Sequence, residues 1–215
     1  MKYRLLVFDW DGTIIDSAST IAECIREASR ELGLAIPEFE RARHVIGLGL
    51  RDAMRIAVPG LPAHRYPEFV ASYRERFNAR KDAMQLFAGM RGLLEQLSGK
   101  HLLAIATGKS RRGLDRDIEF HGLKALFAAS RCADETHPKP HPAMLTELMA
   151  ELAVQSDAAL MIGDTSHDME MARAAQVDAL AVTYGAHPED GLRACAPLAC
   201  FSTVDELQAW LKANG

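Results

Sequence analysis

The 215-residue chain carries a net charge of −4, which excludes a nucleic-acid binder working through a strongly basic field. With 48% hydrophobic and 25% charged residues, it has the composition of an ordinary globular protein, long enough for one core and an insertion. No apolar run approaches the roughly 20 residues of a membrane span. The first run stops at Asp9 with no signal-peptide cleavage site, and Cys24, Cys132, Cys195 and Cys200 lack metal or disulfide spacing, so a reducing cytoplasm is the expected location.

The segment "RLLVFD" (4–9) predicts a buried strand, and its continuation "WDGT" places Asp11, Gly12 and Thr13 at the strand's mouth. From about Ser17 to Met84 only helical patterns follow. The first, "SASTIAECIREASRELG", lines Ile21, Ile25, Ala28 and Leu32 along one face and stops at Gly33, a natural C-terminal cap. This interval is far longer than a simple crossover, which predicts a helical domain over 16–85 inserted into a core made of 1–15 and 86–215. Within it, "VIGLGLRDAMR" predicts a tight loop at Gly47 and Gly49 and a helix from about Leu50, with Arg51 and Arg55 on one face. Beyond the insert, helical patterns ("MRGLLEQLSG", "RRGLDRDIEFHG", "PAMLTELMAEL", "SHDMEMARAAQ") alternate with strands at 102–107, 159–163 and 179–183 and a weaker one at 126–130. A last helix spans Val204 to Lys212. The alternation predicts an α/β fold with a Rossmann-like parallel sheet.

In such a sheet, ligands gather at the carboxyl ends of the strands. Four strands end in polar chemistry: Asp9 with Asp11, Thr107 with Gly108, Gly163 with Asp164, and Tyr184 to His187. In extended chain Asp9 and Asp11 point the same way, and Gly12 lets backbone N–H groups approach an anion. "IGDTSHD" adds Asp164 and Asp168, giving up to four carboxylates in one pocket. Pairs ~4 Å apart at an effective dielectric of ~20 repel by about 4 kcal/mol, so a cation is expected, and oxygen ligands suit Mg²⁺. In "HPKPHP", Lys139 precedes Pro140 and is held extended; as a loop lysine it is expected to contribute little to the fold. His137 and His141 cannot be helical neighbours across these prolines. "ATGKS" is not the end of a P-loop, because Leu103 stands where the first glycine is required. The simpler role is contact of the Thr107 hydroxyl and the Gly108 N–H with a phosphoryl oxygen.

The ordered set "DWDGT", "ATG", Lys139 and "GDTSHD" resembles the haloacid dehalogenase superfamily over nearly the whole chain, and "DGTIIDS" is similar to its phosphoglycolate-phosphatase branch. The resemblance implies a phosphatase of small phosphomonoesters. It implies Asp9 as nucleophile, forming an aspartyl-phosphate, and Asp11 as proton donor and then base. Mg²⁺ is implied on Asp9, the Asp11 backbone carbonyl, Asp164 and Asp168, with Gly12, Thr107, Gly108 and Lys139 binding phosphate. It implies a cap loop offered to the leaving group; at the Gly47 loop the Arg51 guanidinium would read a carboxylate or second anion of the substrate, the alternative being that Arg51 and Arg55 are solvated arginines on an amphipathic helix. The partner expected is a small phosphorylated metabolite, with neither nucleic acid nor membrane, for a monomer or homodimer. The nearest rival is a β-phosphoglucomutase-like mutase, which usually carries valine where Thr13 stands. A non-enzymatic phosphoacceptor domain shares the residue types but has a different motif order and no cap.

Overall fold

The computed structural model describes residues 2–214. Six parallel strands form one sheet: β1 (Leu5–Phe8), β2 (Leu102–Thr107), β3 (Ala129–Cys132), β4 (Ala159–Gly163), β5 (Asp178–Val182) and β6 (Ala199–Phe201). Their order is β3-β2-β1-β4-β5-β6. This is the doubly wound, Rossmann-like order, in which successive strands proceed outward from the centre in both directions. β1 is the central strand, with Phe8 beside Ile105 of β2 on one side and Ile162 of β4 on the other.

The alternation of strand side chains sorts the core into two layers. Leu6, Phe8, Leu103, Ile105, Leu160 and Ile162 face one side of the sheet, where α5 (Met90–Ser98), α6 (Arg111–Phe120) and α10 (Val204–Asn214) pack. Leu5, Val7, Ala104, Ala106 and Met161 face the other, under α7 (Ala143–Glu151) and α8 (Ser166–Ala174). Being covered on both faces is why these strands read as unbroken apolar runs. A short α9 (Glu189–Ala194) packs Leu192 against Met169 and Ala181.

Between β1 and α5 the chain adds no strand to this sheet. It carries α1 (Ala18–Glu31), α2 (Phe39–His44), α3 (Leu50–Ala57) and α4 (Tyr66–Arg80). Helix α1 buries Ile21, Ala22, Ile25 and Ala28, and α4 contributes Phe69 and Phe77 to the same cluster. The segment leaves and rejoins the sheet domain along two paired stretches: Asp16 N–H donates to Gln85 O at 2.9 Å, and Phe87 N–H to Ile14 O at 3.1 Å. No helix among the described residues is long and apolar enough to cross a membrane.

Two edge elements differ from expectation. The strand placed at 126–130 lies at Ala129–Cys132, with Lys124–Leu126 forming a 3₁₀ turn before it. β6 was not anticipated. It is three residues long and only partly buried, and its apolar run, Leu198 to Phe201, is too short to mark a strand by itself.

Candidate active site

The carboxyl ends of β1 and β4 meet at the switch point of the sheet. Asp9 follows β1 directly, and its N–H donates to Ile162 O at 2.9 Å, which fixes it beside the end of β4. Asp164 follows β4. Asp168 lies in the first turn of α8, where it and Thr165 form a reciprocal capping box: Thr165 N–H donates to Asp168 Oδ2 at 3.0 Å, and the Thr165 hydroxyl does so at 2.6 Å. The three carboxylates are fully buried, and one oxygen from each lies within 4.8 Å of the others.

Lys139 enters the same cluster. Its ammonium stands 2.7 Å from Asp9 Oδ1 and 2.6 Å from Asp168 Oδ1, and the residue is only 2% exposed. This corrects the expectation of an extended loop lysine of little structural weight: the backbone turns at Lys139 and Pro140, with His141 N–H donating to Pro138 O at 3.1 Å, and the side chain is buried. Burial pulls the ammonium's pKa down, yet the charges of Asp168 and Asp9 outweigh it and hold the pKa above its ordinary value. Lys139 is therefore a fixed cation.

One ammonium does not balance three carboxylates. Burial pushes Asp9 well above the usual carboxylate range, and the charges of Asp168 and Asp164 add to this against the opposing pull of Lys139. Burial and Asp168 likewise push Asp164 up to about 7, although it accepts hydrogen bonds from Ala186 N–H and the Thr13 hydroxyl, both at 2.7 Å. Asp9 Oδ2 is buried with no hydrogen-bond partner among the described residues. An orphaned carboxylate oxygen in a cluster short of two positive charges fits a divalent cation with oxygen ligands.

Asp11 is not part of this cluster. A fourth carboxylate was expected beside Asp9, but β1 ends at Phe8 and the chain turns at once, with Ile14 N–H donating to Trp10 O at 3.0 Å. The three clustered carboxylates are those of Asp9, Asp164 and Asp168, and the Asp11 carboxylate has partners of its own. It accepts from the Ser17 hydroxyl at 2.8 Å and from Lys109 Nζ at 3.0 and 3.1 Å. Gly12 completes the turn at φ +87°, where an added Cβ would run into the Asp164 carboxylate. On the other side of β1, Thr107 ends β2, and its hydroxyl accepts from Lys109 N–H at 3.2 Å.

The insert lies directly on these residues. A Cβ at Gly108 would collide with the carbonyl oxygens of Gly47 and Leu48, so the loop before α3 rests on the backbone at the end of β2. Gly47 stands against Thr165, and Gly49 against Pro138. Arg51 is exposed on α3, with its charge felt at Tyr66; among the described residues it makes no hydrogen bond or ion pair. The insert arginine that does reach the sheet domain is Arg43, which donates to Gly185 O.

A histidine junction, not anticipated from the sequence, joins the two parts. His167 and His187 each donate from Nε2 to the backbone carbonyl of His44 at 3.0 Å, and Ser166 N–H donates to His187 Nδ1 at 3.1 Å. With its Nδ1 held as an acceptor, His187 is neutral. Burial, with His167 beside it, pushes its pKa down from 6.5 to about 4. The unfolded chain therefore binds more protons than the folded one between those values, and this contribution to stability is lost as pH falls through them. Urea midpoints measured across this window are expected to fall less steeply for His187→Asn than for the parent chain. Equal slopes would show that His187 does not carry the effect.

A family model described as haloacid dehalogenase-like hydrolase matches residues 6–182. The chain belongs to that family. It is 32% identical to a 5'-nucleotidase of Pseudomonas aeruginosa over 96% of this chain and 97% of that protein. It is 29% identical to a phosphoglycolate phosphatase of Colwellia psychrerythraea, covering 97% of each. The fold matches the crystal structure of a predicted phosphoglycolate phosphatase from Haemophilus somnus with a TM-score of 0.88 at 21% identity, covering 100% of this chain and 99% of that one. This haloacid dehalogenase-like hydrolase thus shares its architecture with phosphatases along its full length.

Lys109, which pairs with Asp11, and Asp117, whose Oδ2 lies 3.2 Å from the Lys109 ammonium, are charged residues beside these strand ends that sequence reasoning passed over. A signal existed for each. Lys109 follows Thr107 and Gly108 at a strand end, and Asp117 occupies the buried face of α6 between Leu114 and Ile118, an unusual place for a lone acid.

Proposed function

We propose that the chain hydrolyses small phosphomonoesters through an aspartyl-phosphate on Asp9, with Mg²⁺ as its resident cation and residues 16–85 as a cap. The observation that carries this reading is the buried, partnerless oxygen of Asp9 in a carboxylate cluster that one lysine leaves short of positive charge. Asp9, Asp164 and Asp168 would hold the cation with the backbone carbonyl of Asp11, and when bound it neutralises the site so that an anion can enter. The Asp9 oxygen attacks phosphorus while the ester P–O bond breaks, and Asp11 gives its proton to the departing alkoxide. Water then attacks phosphorus and yields its proton to Asp11, releasing inorganic phosphate and the free Asp9 carboxylate. Thr107, the Gly108 backbone and Lys139 bind the phosphoryl oxygens as charge shifts onto them, whereas the Gly12 N–H expected there is taken by Ile15 O at 2.9 Å.

The names of the relatives point to compact substrates, a phosphoglycolate-like acid or a nucleoside 5'-monophosphate. A panel containing phosphoglycolate, nucleoside 5'-monophosphates, hexose phosphates and p-nitrophenyl phosphate, read as inorganic phosphate released, tests the proposal. Turnover is expected with Mg²⁺ or Mn²⁺ and is expected to stop with a chelator. Undiminished activity in chelator would overturn the metal assignment, and no release from any ester would overturn the activity.

A further inference from the structure

We propose that Lys109 is a positioning residue for the Asp11 carboxylate, and that the cap sets its grip through Phe77 and Asn78 of α4. This rests on the reading of Asp11 as the proton donor. The Lys109 ammonium sits astride both oxygens of Asp11, at 3.0 and 3.1 Å, and stands 3.2 Å from Asp117 Oδ2. Asp117 Oδ1 in turn accepts from Arg116 Nε and Nη2 at 3.0 and 2.9 Å. Charges therefore alternate along a row from Asp11 through Lys109 and Asp117 to Arg116.

The inner three side chains are 11%, 9% and 7% exposed, so solvent screens them little and their geometry holds. An acid on the apolar face of α6 is costly unless paired, and its pairing anchors Lys109 from behind.

Both cations of the row touch the cap. Lys109 Nζ lies 4.6 Å from the centre of the Phe77 ring, a cation–π contact, and Arg116 Nη1 donates to Asn78 Oδ1 at 2.6 Å. Ser17, the other donor to Asp11, stands immediately before α1 at the root of the cap. The groups that orient Asp11 are thus completed when the cap is seated. A proton donor held in one orientation acts on leaving-group departure, and that step distinguishes positioning from general support of the fold.

The test compares the parent chain, Lys109→Met, Asp11→Asn and the double variant with Mg²⁺. The substrates are the best alkyl phosphate of the panel and p-nitrophenyl phosphate, whose leaving group departs without a proton. Methionine keeps an apolar stem against Phe77. Lys109→Met is expected to lose at least about tenfold more kcat on the alkyl ester than on the aryl ester, part of the ~10²–10⁴ that general acid catalysis supplies. Adding it to Asp11→Asn is expected to cost nothing further on the alkyl ester. Because Lys109→Met leaves two buried acids unpaired, a Lys109→Met, Asp117→Asn variant removes opposite charges together and is expected to show the same substrate preference. Equal losses on both esters, full additivity with Asp11→Asn, or unchanged kinetics would each overturn the positioning role. If Asp11→Asn itself lost equally on both esters, the donor assignment would fall first and the inference with it.

Discussion

Asp9→Asn is expected to reduce turnover to background and to leave no acid-stable, base-labile phosphoenzyme after incubation with substrate. The amide is nearly isosteric but cannot attack phosphorus, so the loss falls on the chemical step rather than on binding. The same substitution is expected to raise the melting temperature of the metal-free protein. Asp9 is fully buried beside Asp164 and Asp168, and its pKa is pushed up because the folded chain tolerates its charge poorly. Removing one negative charge relieves that strain, while Lys139 keeps Asp168 as a partner. A dead but more stable protein is the signature of a residue kept for chemistry at a cost to the fold. Near-parental turnover by Asp9→Asn would remove the nucleophile assignment, and a dead variant with a lowered melting temperature would show loss of structure instead.

Lys139→Ala is expected to impair both rate and stability. Sequence reasoning foresaw only the first. The buried position means that the substitution leaves three carboxylates facing one another with no cation. Breaking a buried ion pair in this way costs about 3–5 kcal/mol, a melting-temperature fall on the order of 10 °C for a chain of this size. Mg²⁺ is expected to recover much of that fall, because it supplies the missing charge. It is not expected to recover the rate, since no ammonium then faces the transferring phosphoryl group. Thermal melts with and without Mg²⁺, run beside activity assays, separate the two effects. A variant as stable as the parent in chelator would contradict the charge deficit in the cluster.

The fold was legible where burial is complete on both faces. β1, β2 and β4 are runs, apolar but for Thr107 at the end of β2, covered by neighbours in the sheet and by helices above and below, and each was located within a residue. β3 and β6 lie at the two edges of the sheet, where side chains are half-exposed and the pattern fades. In the site, Asp9, Asp164 and Asp168 stood out because they close strands or open a helix. Their departure from Asp11 was hidden, because whether the chain runs straight or turns after Phe8 depends on hydrogen bonds around Trp10 that two-residue spacing does not encode. The inward turn of Lys139, the Lys109 row and the histidine junction each join residues from distant parts of the chain. Lys109 is 98 positions from Asp11 and His187 is 143 from His44, so local patterning carries no trace of either contact.

The paired stretches at the root of the cap have a consequence for how that part of the molecule moves and changes. Its two ends leave the sheet side by side, joined by the hydrogen bonds of Asp16 to Gln85 and Phe87 to Ile14. Tethered at both ends, the helical segment is held at high effective concentration beside the carboxylate cluster, so any separation and return of the two parts is an intramolecular event with little freedom to surrender. To the sheet domain, the whole segment presents the footprint of a tight turn. Lengthening or exchanging the helices beyond that root adds only slowly growing loop entropy, so the surface of that segment can be rebuilt while the strands that aim Asp9 and Asp164 stay as they are.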